Sequence, residues 1–185
     1  CATNLQLGLA VLAVLAVVWP PSVAMRPLAA GSVLRLYPPF LVAWALFAVG
    51  YLRLVATFGE PVAPQPQLVE LAQRGWAPEG LPRIAFGVAV LAPLFEELLF
   101  RGYLFTALAV MLPMWLVQLL TATLFGLAHG LDHALPIGVL SLLFGYLRQR
   151  HGSLWPSVLA HALHNALTLV LVMTWPDLLD LLYGR

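Results

Sequence analysis

Apolar runs of roughly bilayer-crossing length, separated by short breaks rich in proline, glycine and arginine, set the rhythm of this chain. Leu5 to Trp19 is the first run, closed by Pro20-Pro21; it is short for a crossing, and a missing upstream segment would account for that. Past a connection bracketed by Arg26 and Arg35, Leu36 to Val55 reads as a second span, with Tyr37 and Tyr51 as interfacial anchors and Tyr37-Pro38-Pro39 as an irregular first turn. Gly59 to Gly80 is the polar interval, and within it Gln67 to Gln73 predicts a short amphipathic surface helix. Pro82 to Leu108 is the third span. At ~27 residues it reaches ~40 Å, beyond the ~30 Å hydrocarbon core, so it must tilt, kink or emerge, and Pro93 supplies the kink. The fourth span runs from Pro113 to about Gly130. After a turn over Leu131 to Leu135, the fifth runs from Pro136 to about Arg148, with Gly138, Ser141 and Gly145 as a small-residue stripe for close helix packing. Ser153 offers an N-cap to the sixth, which carries Pro156 in its first turn and ends near Trp175; an interfacial tail follows from Pro176 to Arg185. The pattern predicts an all-α fold, a polytopic transmembrane helical bundle of about six spans.

Composition narrows the partners. Of 185 residues, 62% are hydrophobic and 9% charged, and the nine basic residues are all arginine. That excludes an ordinary soluble domain, and a net charge of +1 argues against nucleic acid and against a polybasic membrane-surface patch. Partners are expected inside the bilayer or at its edge. Cys1 alone can form neither an intrachain disulfide nor a cysteine metal cluster, and an opening on Cys rather than Met is expected to reflect a truncated start. Arg148 and Arg150 in one short loop favour the cytoplasm for their side.

Against this apolar background three ionisable residues stand in the third span, Glu96, Glu97 and Arg101. Charge at membrane depth costs about 2.5 to 3.5 kcal/mol on insertion scales, so it persists mostly where a pathway or reaction needs it. Residues four apart share a helix face, which pairs Glu97 with Arg101 and turns Glu96 about 100° away as a candidate general base or acid. The three can equally form a buried network that holds the bundle together. His129 lies as far beyond the Leu112/Pro113 turn as Glu96 lies before it, so an antiparallel hairpin brings both to one depth, with Phe125 one turn from His129 as a wall. The sixth span offers His161 and Asn165 on one face, as donors able to stabilise an oxyanion or as a plain interhelical hydrogen-bonding pair.

Taken in order on successive helices, Glu-Glu-x-x-x-Arg, Phe-x-x-x-His and His-x-x-x-Asn resemble the CPBP intramembrane protease family, which includes type II CAAX prenyl endopeptidases and bacteriocin-processing or self-immunity proteins. The resemblance covers roughly Pro82 to Thr174. It implies an intramembrane endopeptidase with its active site between the third, fourth and sixth helices, in which Glu96 and His129 activate the hydrolytic water, Glu97 and Arg101 support the site, and His161 and Asn165 form the oxyanion hole. It divides one integral membrane domain into N-terminal spans and a polar connector (1–81), a catalytic helical core (82–175) and a short tail (176–185). No cofactor is required by this reading. A zinc ion held by Glu96, His129 and His161 is the metal-dependent alternative, although His-Glu-x-x-His is absent. A non-enzymatic immunity or scaffold protein, or a transporter using Glu96 and His129 as a proton relay, are the other classes, the last weakened by the lack of inverted repeats. The expected substrate is a peptide or membrane protein, prenylated or secreted, and the expected location is a bacterial inner membrane.

Overall fold

The computed structural model describes residues 29–59, 62–76 and 79–183. The expected first span, the Arg26 connection, and Cys1, Glu60, Pro61, Pro78 and Arg185 lie outside the described residues. Within them every regular element is helical. In chain order these are α1 (Ala30–Phe58), α2 (Pro66–Arg74), the rod α3, α4 (Met114–Ala128), a 3-10 turn (Leu131–His133), α5 (Ala134–His151), α6 (Trp155–Thr174) and a short α7 (Leu178–Tyr183). The rod α3 is continuous helical backbone whose segments are α-helical Leu81–Phe86, π-helical Gly87–Leu91, α-helical Ala92–Glu97, π-helical Leu98–Leu104 and α-helical Phe105–Ala109. The all-α expectation holds.

Three local expectations are corrected. Pro38 and Pro39 lie inside α1, which starts at Ala30, so they do not form its first turn. The carbonyls they leave without main-chain donors belong to Leu34 and Arg35, both exposed near the helix end, where the missing bonds cost least. Tyr37 is buried between helices and is no interfacial anchor. Ser153 is buried ahead of α6, and the N-cap position falls on Leu154 with no side-chain cap. The break expected at Pro93 takes the form of the π-helical turn Gly87–Leu91 just before it.

Packing explains the arrangement. Val33 and Tyr37 of α1, Leu140, Leu143, Phe144 and Leu147 of α5, and Ala160 of α6 form one core. A second joins Leu71 of α2 to Leu169, Val172 and Met173 of α6 and Leu179 of α7, with Ile84 and Ala85 of α3 against it. Between α4 and α5 the backbones nearly touch: a Cβ on Gly126 would collide with the Ala134 carbonyl, and one on Gly138 would stand 3.3 Å from the Ala122 carbonyl. Glycine thus permits the hairpin to close. Helices α1 and α6 are long and apolar enough to cross a bilayer, and Leu46 and Phe58 of α1 are among the side chains left facing outward. Trp44 Nε1 donates to the Pro136 carbonyl at 2.8 Å, and Tyr37 Oη meets His164 Nδ1 at 3.2 Å, tying α1 to α5 and α6.

Candidate active site

The α-helical turn Ala92–Glu97, set between two π-helical stretches, presents Glu96 and Glu97 in different directions. Glu97 points into the bundle and is fully buried. Its Oε1 accepts from Arg101 Nη1 at 3.0 Å and lies 3.0 Å from His161 Nδ1. Arg101, also fully buried, has its Nη2 donating to the Ser141 carbonyl at 2.9 Å and to the Ser141 hydroxyl. Its guanidinium lies 4.6 Å from the Phe125 ring centroid and 5.4 Å from that of Phe144. A buried cation thus has a carboxylate, a hydroxyl, a carbonyl and two aromatic faces around it, which is what makes its burial tolerable.

Glu96 faces the other way, with its side chain 33% exposed. Its Oε2 is 3.7 Å from His129 Nε2 and 3.8 Å from His161 Nε2, too far for direct hydrogen bonds, and that oxygen has no partner. Both rings are held from behind. His129 caps the C-terminal end of α4, where its Nδ1 lies 2.8 Å from the Phe125 carbonyl; a carbonyl can only accept, so Nδ1 carries the proton. By the same argument the Glu97 carboxylate, paired with Arg101, accepts a hydrogen bond from His161, so the His161 proton sits on Nδ1. Each imidazole therefore turns Nε2 toward Glu96.

Aromatic rings fix the two imidazoles in place. Phe125 packs at 4.8 Å from His129 and 5.7 Å from His161, while Phe144 stacks on His161 at 4.7 Å, 16° from parallel. Asn165, one turn beyond His161 on α6, donates through Nδ2 to the Val88 carbonyl at 3.0 Å. The structure thus gathers Glu96, Glu97, Arg101, Phe125, His129 and His161 around one point, and sets Asn165 beside them against α3. Other histidines stand apart: His164 packs on Tyr37 and Trp44, and His133 lies 3.5 Å from Tyr183 Oη outside the spans. Burial, opposed by Asp132 and helped by His129, lowers the affinity of His133 for a proton below its ordinary value.

Ser141, Phe144 and the Val88 carbonyl were not among the residues read from sequence as site residues. A serine within a small-residue stripe signals a hydrogen bond, and Phe144 follows it by three positions on the same face. Nothing in the residue pattern marks a carbonyl. Among the described residues no three His, Cys, Asp or Glu side chains form a metal-ligand group.

Residues 78–167 match the family described as type II CAAX prenyl endopeptidase Rce1-like. A curated Bacillus subtilis (strain 168) protein, named "Putative membrane peptidase YdiL", is 27% identical over 96 residues. Those residues are 51% of this chain and 38% of the relative, so the chain matches well under half of that protein's length. No solved structure matches significantly. Together with the two apolar helices, these similarities describe a membrane protein.

Proposed function

From the match of residues 78–167 to the type II CAAX prenyl endopeptidase Rce1-like family, we propose an intramembrane endopeptidase of the CPBP kind in which Glu96 activates water. The observation that carries the proposal is the unpartnered Glu96 Oε2, a buried oxygen on a side chain that is otherwise one-third exposed, faced by two imidazole Nε2 atoms at 3.7 and 3.8 Å. That separation suits a water shared among them better than a direct bond. The water gives one proton to Glu96 and points the other at His129 Nε2, and its oxygen bonds to the scissile carbonyl carbon. The carbonyl oxygen becomes an oxyanion. For His161 to stabilise it, the ring must enter the cycle already protonated on both nitrogens and keep both protons, donating from Nε2 to the oxyanion and from Nδ1 to Glu97, while Asn165 adds the second proton of its Nδ2. Glu96 then protonates the leaving nitrogen as the C–N bond breaks, giving a carboxylic acid and an amine with no covalent enzyme intermediate.

The substrate class is a peptide or membrane protein segment that reaches the site from the bilayer, prenylated or secreted, in a bacterial inner membrane. Mass spectrometry of a peptide panel incubated with wild-type protein and with Glu96→Gln tests the reading. The variant should fold normally and lose activity by at least ~10³-fold. Full cleavage by Glu96→Gln would reject the role of Glu96. The metal-dependent reading draws on one feature, two imidazoles whose Nδ1 protons are held by a carbonyl and a carboxylate, as zinc-bound histidines often are. A bound zinc ion would supply Lewis-acid activation of the water. Stoichiometric zinc in active protein, with turnover lost on chelation, would replace the metal-free mechanism.

A further inference from the structure

We propose that Pro93 is a positioning residue for this reaction: by withholding a backbone donor it leaves the Val88 carbonyl to Asn165, and so fixes the orientation of the Asn165 amide. The inference rests on the hydrolytic role given above to Asn165. In the π-helical turn Gly87–Leu91 the main chain bonds five residues back, and Ala92 N–H reaches the Gly87 carbonyl. The next donor in that register would be residue 93, reaching Val88. Proline has no N–H to give. The Val88 carbonyl accepts from Asn165 Nδ2 at 3.0 Å, across from α6 to α3.

A carbonyl acceptor can be satisfied only by the nitrogen end of a carboxamide, so this contact decides which way the amide is turned. One Nδ2 proton is committed to Val88 and the other is left for a developing oxyanion. Without proline the arrangement has a competitor. A residue 93 with an N–H would donate to Val88 in the π register, and if the turn relaxed to α-helix, Ala92 N–H would do so instead. In both cases Val88 gains a donor from its own helix that competes with Asn165 for the carbonyl, and the Asn165 amide is held less firmly. Pro93 thus acts across a helix interface on a residue more than seventy positions away in sequence.

The test is a double-mutant cycle in the full chain, in detergent micelles, with Pro93→Ala, Asn165→Ala and both. The chain has two asparagines, Asn4 and Asn165, so loss of a signal in Asn165→Ala identifies the side-chain 15N resonance. One Asn165 Nδ2 proton should be protected from exchange in the wild type and lose that protection in Pro93→Ala, whose thermal stability is unchanged or higher. Protection that persists in Pro93→Ala overturns the proposal whether or not a substrate is in hand. On a cleaved peptide, Pro93→Ala should lower kcat roughly tenfold or more with KM nearly unchanged, and should have no further effect on kcat in the Asn165→Ala background. Additive losses would mean that the proline acts by some route other than Asn165. If Glu96→Gln retains cleavage, the hydrolytic reading falls first, and the exchange measurement still judges the link between Pro93 and Asn165.

Discussion

Glu96 and Glu97 share a peptide bond and almost nothing else. Glu97 is sealed at 0% exposure with two nitrogen partners at 3.0 Å, whereas Glu96 is 33% exposed with its nearest nitrogens at 3.7 and 3.8 Å. One helical step separates a carboxylate that is spent on structure from one that is available. The difference teaches that an acidic pair in an apolar helix need not be a catalytic pair. The buried member can set the tautomer of a histidine whose far nitrogen serves the open member, so the two act on opposite edges of the same ring.

The contrast breaks or sharpens under substitution, and the largest effect should come from its closed side. Glu97→Gln leaves the Arg101 charge buried without its counterion and should cost about 3 to 5 kcal/mol in unfolding free energy, while Glu96→Gln should stay within about 1 kcal/mol of wild type. Equal stabilities in a denaturant titration would erase the distinction. Gly126→Ala comes next: its methyl must push α4 from the Ala134 carbonyl, loosening the wall that Phe125 gives to both rings, for about 1 to 3 kcal/mol by thermal unfolding. Ser141→Ala removes one acceptor from Arg101 but keeps the Ser141 carbonyl, so a loss of about 1 to 2 kcal/mol is expected. The smallest effect belongs to Tyr37→Phe. It removes the contact to His164 on the outer side of α6, for about 0.6 kcal/mol, and should leave peptide cleavage unaltered. A collapse of activity there would show that the outer histidine belongs with the inner one.

Much of this contrast is legible in the residue order. A 100° step separates Glu96 from Glu97, the i, i+4 spacing pairs Glu97 with Arg101, and hairpin counting puts His129 at the level of Glu96. These inferences need only helix geometry and one turn. What stays hidden depends on the rotation of one helix against another. The contact of His161 with Glu97 requires the facing of α6 on α3, which no spacing within either helix encodes. The π-helical turns are equally invisible, because a single proline is compatible with a kink, a break or a widened turn. Tyr37 misleads for a related reason. Aromatic residues at span ends commonly mark the interface, but α1 begins earlier than its prolines suggest, and the ring is carried into the bundle.

The Glu97–Arg101 pair has a consequence for how such a chain is made. Both partners stand on one rod, 3.0 Å apart, so their neutralisation does not wait for α5 or α6 to be synthesised. If α3 is inserted as the third span that the sequence pattern predicts, it meets the lipid with Glu97 and Arg101 already joined as a compact ion pair, in place of two ions each resisting entry. His161 and Ser141 follow later in the chain and complete contacts to a pair that α3 can form by itself.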